Sequence, residues 1–195
     1  MAIDQDLELM LRVRDGDAES FDALLQRHRG PLVGFFARMV RDSALAEDLA
    51  QEVFLRIYQS RHRYEPEAKF TTWLYRIATN LALNAIRDRK DVSSSMGSDQ
   101  GAPGAESWEG RIPDGRPTAE QAMLSTERER QIRQAVESLP EKQRTAVVLH
   151  KYQEVDYRQI AQILGVSESA VKSLLFRAYE NLRVSLEPLL KGGQI

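Results

Sequence analysis

Cysteine is absent from this chain, which excludes disulfides, thiolate zinc sites and cysteine nucleophiles and fits a reducing compartment. Histidine is scarce. His28, His62 and His150 stand singly, without ligand spacing or a nucleophile partner, so a metal centre or a hydrolytic enzyme has little to be built from. The sequence has no glycine-rich phosphate loop. No apolar run approaches the ~20 residues that cross a bilayer. The acidic start (Asp4, Asp6, Glu8) lacks the basic-then-apolar pattern of a signal peptide. These absences lead us to expect a soluble cytoplasmic protein with no cofactor, no metal, no catalytic residues and no membrane insertion. A basic surplus is missing too. The net charge is −2 over 195 residues, although phosphate neutralisation supplies much of the affinity of proteins that bind DNA alone.

What is present is helical. Apolar residues recur at helical spacing, with no alternating strand pattern and no internal repeat. Helices are expected over residues 7–14 and 18–29, separated by Asp15-Gly16. Gly30-Pro31 is expected to start another, running to Val40. Further helices are predicted over residues 43–59 and 71–89, around a loop at residues 64–68 that contains Pro66. Residues 91–118 turn to Ser, Gly, Pro, Asp and Glu and read as an extended linker, with five carboxylates against two arginines. Helices resume near Ala119, break at Leu139-Pro140, where Pro suits a first helical position, and run to about Leu186. The expected architecture is all-α. Two helical domains, residues 1–90 and 119–195, flank the linker.

The second domain carries a recognisable device. Residues 157–164 form a short amphipathic helix closed by Gly165, which supplies a left-handed conformation without steric cost. Ser167 is a good N-cap for the next helix, and Glu168 faces its positive dipole end. There Val171, Leu174, Leu175, Ala178 and Leu182 make one buried stripe, while Ser169, Lys172, Ser173, Phe176 and Arg177 lie opposite. Ala161 allows a close helix crossing and Val171 anchors it. This is a helix-turn-helix pattern, whose second helix reads the major groove. A plain helical hairpin is the bland alternative.

Charge is local rather than global. Residues 61–90 hold seven Lys or Arg against three acids, whereas Asp42, Glu47, Asp48 and Glu52 sit together with no base among residues 42–52. One neighbourhood suits phosphate and the next a basic partner. In the helix expected from Thr71, the residues Thr72, Arg76, Asn80, Asn84 and Arg87 form a polar row able to bond phosphates and base edges. Lys69, Phe70, Trp73 and Tyr75 mix charge with aromatic faces on which single-stranded bases stack. The plainer reading makes Trp73 and Phe70 core and the polar row merely solvated; it is favoured for Trp73, while Tyr75 fits either role.

The run Ala46-Glu-Asp-Leu-Ala-Gln-Glu-Val-Phe-Leu55, then Phe70-Thr-Thr-Trp-Leu-Tyr-Arg-Ile-Ala-Thr-Asn80 with Asn84, resembles region 2 of bacterial sigma factors. The helix-turn-helix preceded by Leu139-Pro-Glu-Lys-Gln-Arg144 resembles their region 4. With these two regions alone, the chain is similar to the extracytoplasmic-function (ECF) group of the sigma-70 family. The resemblance implies a factor that binds core RNA polymerase and directs promoter recognition and DNA opening, held in check by an anti-sigma factor. It implies polymerase docking through Asp48, Gln51 and Glu52. Minus-ten contacts fall to Tyr64, Lys69, Phe70, Tyr75, Arg76, Asn80 and Asn84, with the loop at residues 64–69 capturing a flipped-out base. Minus-thirty-five contacts fall to Ser169, Lys172, Ser173, Phe176 and Arg177. The acidic linker would thread the polymerase cleft, either mimicking RNA or serving as a solvated tether. An ordinary helix-turn-helix regulator shares only the second block. It would leave the first without a role.

Overall fold

The computed structural model describes residues 4–95 and 119–191. They form helices α1 (Gln5–Arg14), α2 (Ala18–Val40), α3 (Ser43–Ser60) and α4 (Phe70–Ser95), then α5 (Ala119–Ser138), α6 (Glu141–Val147), α7 (Tyr157–Leu164) and α8 (Glu168–Lys191). A 3-10 turn, Arg61–Arg63, follows α3, and a π-helical turn, Val148–Tyr152, follows α6. Among the described residues there is no strand. Much of the linker, residues 96–118, and with it the RNA-mimic reading, lies outside them.

Short polar side chains start most of these helices by accepting bonds from amides that have no partner inside the helix. Asp4 accepts from the amide of Asp6 (3.1 Å), Asp17 from those of Glu19 (3.0 Å) and Ser20 (3.3 Å), and Asp42 from that of Leu45 (3.0 Å). At α7, Asp156 and Gln159 form a reciprocal capping box. Ser167 accepts from the amide of Ala170 (3.2 Å) at the start of α8, as its position predicts.

Three helix boundaries differ from expectation. α2 runs unbroken through Pro31, where a restart was predicted. The reason is tertiary. Leu24, His28, Leu32, Phe35, Phe36 and Met39 continue one buried stripe across the proline, and that burial outweighs one missing backbone bond. Gly30, with no Cβ, also relieves the usual crowding before a proline. α4 continues past Arg89 to Ser95, into residues read as linker. Pro140 stands at the N-cap of α6 rather than at its first helical position.

Helices α1 to α4 enclose a core of Met10, Leu24, Leu32, Phe35, Phe36, Met39, Ile57, Phe70 and Leu74, all fully buried. Helices α5 to α8 close around Leu149, Ile160, Val171, Leu175 and Ala178. The stripe expected on α8 is therefore the one it buries. The two bundles also touch. α7 lies against α4, and the π-helical turn lies against α2.

Candidate nucleic-acid and polymerase interface

Three surfaces carry the residues singled out from the sequence. The first is the outer face of α3. Asp48 and Gln51 are exposed there, and Glu52 is half-buried beside Arg56 (2.7 Å). Leu55 falls on the same face at helical spacing and is 50% exposed, an unusual position for a leucine. Beside this row runs an apolar groove of about 270 Å³ between α2 and α3, walled by Phe21, Leu25, Ala50, Gln51 and Phe54. Phe21 meets Tyr58 (5.0 Å between ring centres) and Phe54 (6.4 Å, edge to face). The groove is hard to see in the sequence because Phe21 and Leu25 fall at the helical spacing of a core stripe. Leu55, apolar on a face of acids and amides, was the available signal.

The second surface is a cleft of about 530 Å³ between the end of α3 and the start of α4. Arg56, Gln59, Ser60 and Arg63 form one wall; Trp73, Ile77 and Asn80 form the other. Charge, amides and an indole face meet in one cleft, a combination suited to an extruded base and its phosphates. Arg76 and Asn84 continue the exposed row along α4, and Asn84 accepts from Arg87. Lys69 is exposed immediately before α4. Arg56, Gln59 and Arg63 were not anticipated; they recur at three- and four-residue spacing, but on a different helix from the motif.

Three expected minus-ten residues are placed otherwise. Phe70 is fully buried at the first position of α4, beside His28 (5.4 Å between rings). Tyr64 is buried against Trp73 (5.1 Å between rings), and its hydroxyl finds no partner. Burial, with Asp4 and Asp6 nearby, pushes that phenol up to about 12. Tyr75 is buried against Phe35 (5.6 Å between rings) and donates to Gln153 of the second bundle. Burial raises its phenol well above the ordinary range. None of the three presents a face for a base to stack on. Their placement has a simple cause: an aromatic next to a basic cleft can line it or support it from below, and the tertiary contacts made by α1, α2 and α7 decide which.

The third surface is the N-terminal half of α8. Gly165 takes φ 64° and the amide of Val166 donates to the carbonyl of Ala161 (3.0 Å), which closes the turn. Val171 and Leu175 then hold α8 inward, leaving Ser169, Lys172, Ser173, Phe176 and Arg177 together in solvent. Phe176 is 69% exposed. Ser173 donates to the carbonyl of Ser169 (3.0 Å), so its hydroxyl oxygen still has capacity to accept.

The histidines remain apart. His28 is buried against Asp6 (2.9 Å), His150 faces the carbonyl of Val155 (3.2 Å), and His62 is exposed. Among the described residues no group of His, Asp or Glu is arranged to hold a metal ion. No helix there is long and apolar enough to cross a membrane.

The family model for Sigma-70 region 2 matches residues 24–92, and that for Sigma-70, region 4 matches residues 129–182. The chain is 36% identical to the RNA polymerase sigma-H factor of Pseudomonas aeruginosa, covering 96% of this chain and 97% of that one. It is 32% identical to the ECF RNA polymerase sigma factor SigW of Bacillus subtilis, covering 94% and 100%. In fold it is similar to CnrH, solved with the cytosolic domain of CnrY (TM-score 0.68, 20% identity, covering 95% and 99%). It is likewise similar to RpoE of Bartonella quintana, solved with the anti-sigma factor NepR (TM-score 0.69, 22% identity, covering 87% and 98%). A cleft of basic side chains and amides between α3 and α4, an acidic face on α3 and a helix-turn-helix on α7 and α8 thus occur in a chain that belongs to the ECF group of the sigma-70 family of RNA polymerase sigma factors.

Proposed function

We propose that the chain docks on core RNA polymerase through the α3 face, opens the minus-ten element through the α3–α4 cleft and reads the minus-thirty-five element through α8. Region 2 is assigned to residues 1–90 and region 4 to residues 119–195. The observation that carries this reading is the cleft between Arg63 and Asn80. A flat basic surface binds duplex without distinguishing it, whereas a cleft of this size favours a base that has left the stack. Binding energy is thereby directed into strand separation, with no covalent chemistry and no ATP. Lys69, Arg76, Asn80 and Asn84 contact the strand directly. Arg56, Gln59 and Arg63 join them, while Tyr64, Phe70 and Trp73 hold the cleft in shape.

For docking, Asp48, Gln51 and Glu52 supply charge and amide contacts, and Leu55 with the adjoining groove supplies apolar area. A polymerase helix with basic and apolar residues on one face is the fitting partner. The same exposed groove suits a helix of an anti-sigma factor, the kind of partner with which RpoE of Bartonella quintana was solved. The factor acts where the polymerase is, in the cytoplasm, and is not itself an enzyme.

The test is transcription in vitro from a pooled genomic library, with core polymerase alone and with added factor. New starts sharing two spaced boxes are expected. Asp48→Lys is expected to abolish them by preventing holoenzyme assembly, measured by co-sedimentation with core. Starts that do not depend on the factor, or normal assembly by Asp48→Lys, would overturn the reading or the docking face respectively.

A further inference from the structure

A buried polar pair lies behind the α3–α4 cleft and takes no part in the contacts proposed for DNA or polymerase. Asp6 of α1 and His28 of α2 are each only 8% exposed. One oxygen of the Asp6 carboxylate accepts from Nε2 of His28 (2.9 Å) and the other from Arg27. Arg27 also donates to Gln5 (3.0 Å). The His28 ring leans on Phe70 (5.4 Å between ring centres, tilted by 55°). Phe70 in turn meets Trp73 edge to face (6.3 Å), and Tyr64 meets the same indole (5.1 Å). Tyr64 and Phe70 are the two ends of one loop. Both are buried, while Glu65, Pro66, Glu67 and Lys69 between them are exposed. α1 touches both α4 and the 3-10 turn that leads into this loop, so it backs the loop at each end.

As glue between two helices this pair is a poor choice. A carboxylate taken out of water recovers its hydration only through well-made partners, and an apolar pair of similar volume holds helices together at least as well. α1 has that apolar anchorage already in Met10 and Val13, both buried in the core. What a hydrogen-bonded pair adds is direction. Apolar side chains slide over one another, whereas a bond from Nε2 to a carboxylate that Arg27 also holds fixes the plane of the imidazole. That plane sets the face offered to Phe70. Phe70 is the first residue of α4 and Trp73 lies one turn further on, so the indole that walls the cleft takes its place from this contact.

We propose that Asp6 and His28 are positioning residues for promoter opening: the pair holds the two aromatic ends of the loop against Trp73, so that the cleft is in shape before a base enters it. The inference rests on the promoter reading of that cleft. A wall fixed in advance loses little freedom when the base arrives. Binding energy then goes into strand separation rather than into ordering the loop. The duplex-reading face of α8 and the docking face of α3 lie on other elements and do not involve the pair. Its effect is therefore confined to the step in which the duplex opens, and disappears where the strands are already apart.

The test uses holoenzyme made with the full chain and a promoter found by library transcription, either as duplex or with its minus-ten strands made non-complementary. His28→Leu keeps apolar volume and removes the donor, whereas Asp6→Asn keeps an acceptor oxygen for His28. On the duplex, His28→Leu is expected to assemble with core and bind the closed promoter within about twofold of wild type. It should open that promoter about tenfold more slowly, read by permanganate reactivity of unpaired minus-ten thymines. On the pre-opened template its transcript yield should return to within about twofold of wild type. Asp6→Ala severs the same bond from α1 and should show the same split between templates, while Asp6→Asn should open the duplex nearly as fast as wild type. Opening at the wild-type rate by His28→Leu and Asp6→Ala overturns the proposal. Equal loss on both templates, failure to assemble included, also overturns it, because the pair then simply holds region 2 together. Arg63→Ala, in the cleft wall itself, separates the failures. If it slows opening where His28→Leu does not, only the positioning role falls; if neither slows it, the promoter reading of the cleft falls as well.

Discussion

Aspartates at helix starts make the acid stability of this protein a matter of a few side chains. Asp17 is held below the ordinary carboxylate range by the hydroxyl and amide of Ser20, and Asp42 by the amide of Leu45 and by Arg89. A carboxyl depressed in the folded state stabilises it fully above the unfolded value of about 3.9, and loses that effect as pH falls through the lower folded value. The thermal midpoint is therefore expected to hold from neutrality to about pH 5 and to drop below about pH 4. The double variant Asp17→Asn, Asp42→Asn keeps capping oxygens that do not titrate, so its acid limb should be shallower. A second comparison separates support from contact. Phe70→Ala removes a fully buried ring and is expected to cost about 3–5 kcal/mol in chemical denaturation. Arg76→Ala, at an exposed position, should leave stability within about 0.5 kcal/mol while weakening minus-ten oligonucleotide binding.

At the scale of single helices, legibility followed the strength of the local signal. The buried stripe of α8, the Gly165 turn and the Ser167 cap were all readable, because each rests on periodicity or backbone chemistry confined to a few residues. The continuation of α2 through Pro31 was not, since it depends on what Leu32, Phe35 and Phe36 bury against across the bundle. The same limit applied to Tyr64, Phe70 and Tyr75, whose type suits both a core and a nucleic-acid face. On α8 the exposed row divides by chemistry. Lys172→Ala should weaken binding to a minus-thirty-five duplex regardless of sequence, and lower the slope of log affinity against log salt by about 1. Phe176→Ala should leave that slope unchanged and reduce discrimination between the best box and its single-base variants. Titrations over several salt concentrations distinguish the two.

For the whole molecule, two helical units and their order were evident from composition and motif. The seam between them was not. Its contacts come from Thr72, Gln153, Gln159, Glu137 and Glu141, polar residues that share no one motif and are brought together only by the packing of the two bundles. Arg144 gives that seam a further meaning. Burial, with Arg41 near it, lowers the pKa of its guanidinium, and its Nε has no partner. An apolar side chain of similar length removes this burden. Arg144→Met is therefore expected to raise the thermal midpoint of the full chain, measured by calorimetry. The unsatisfied arginine is a cost that the chain carries wherever its two bundles touch, and relieving it measures how much of the fold that contact holds together.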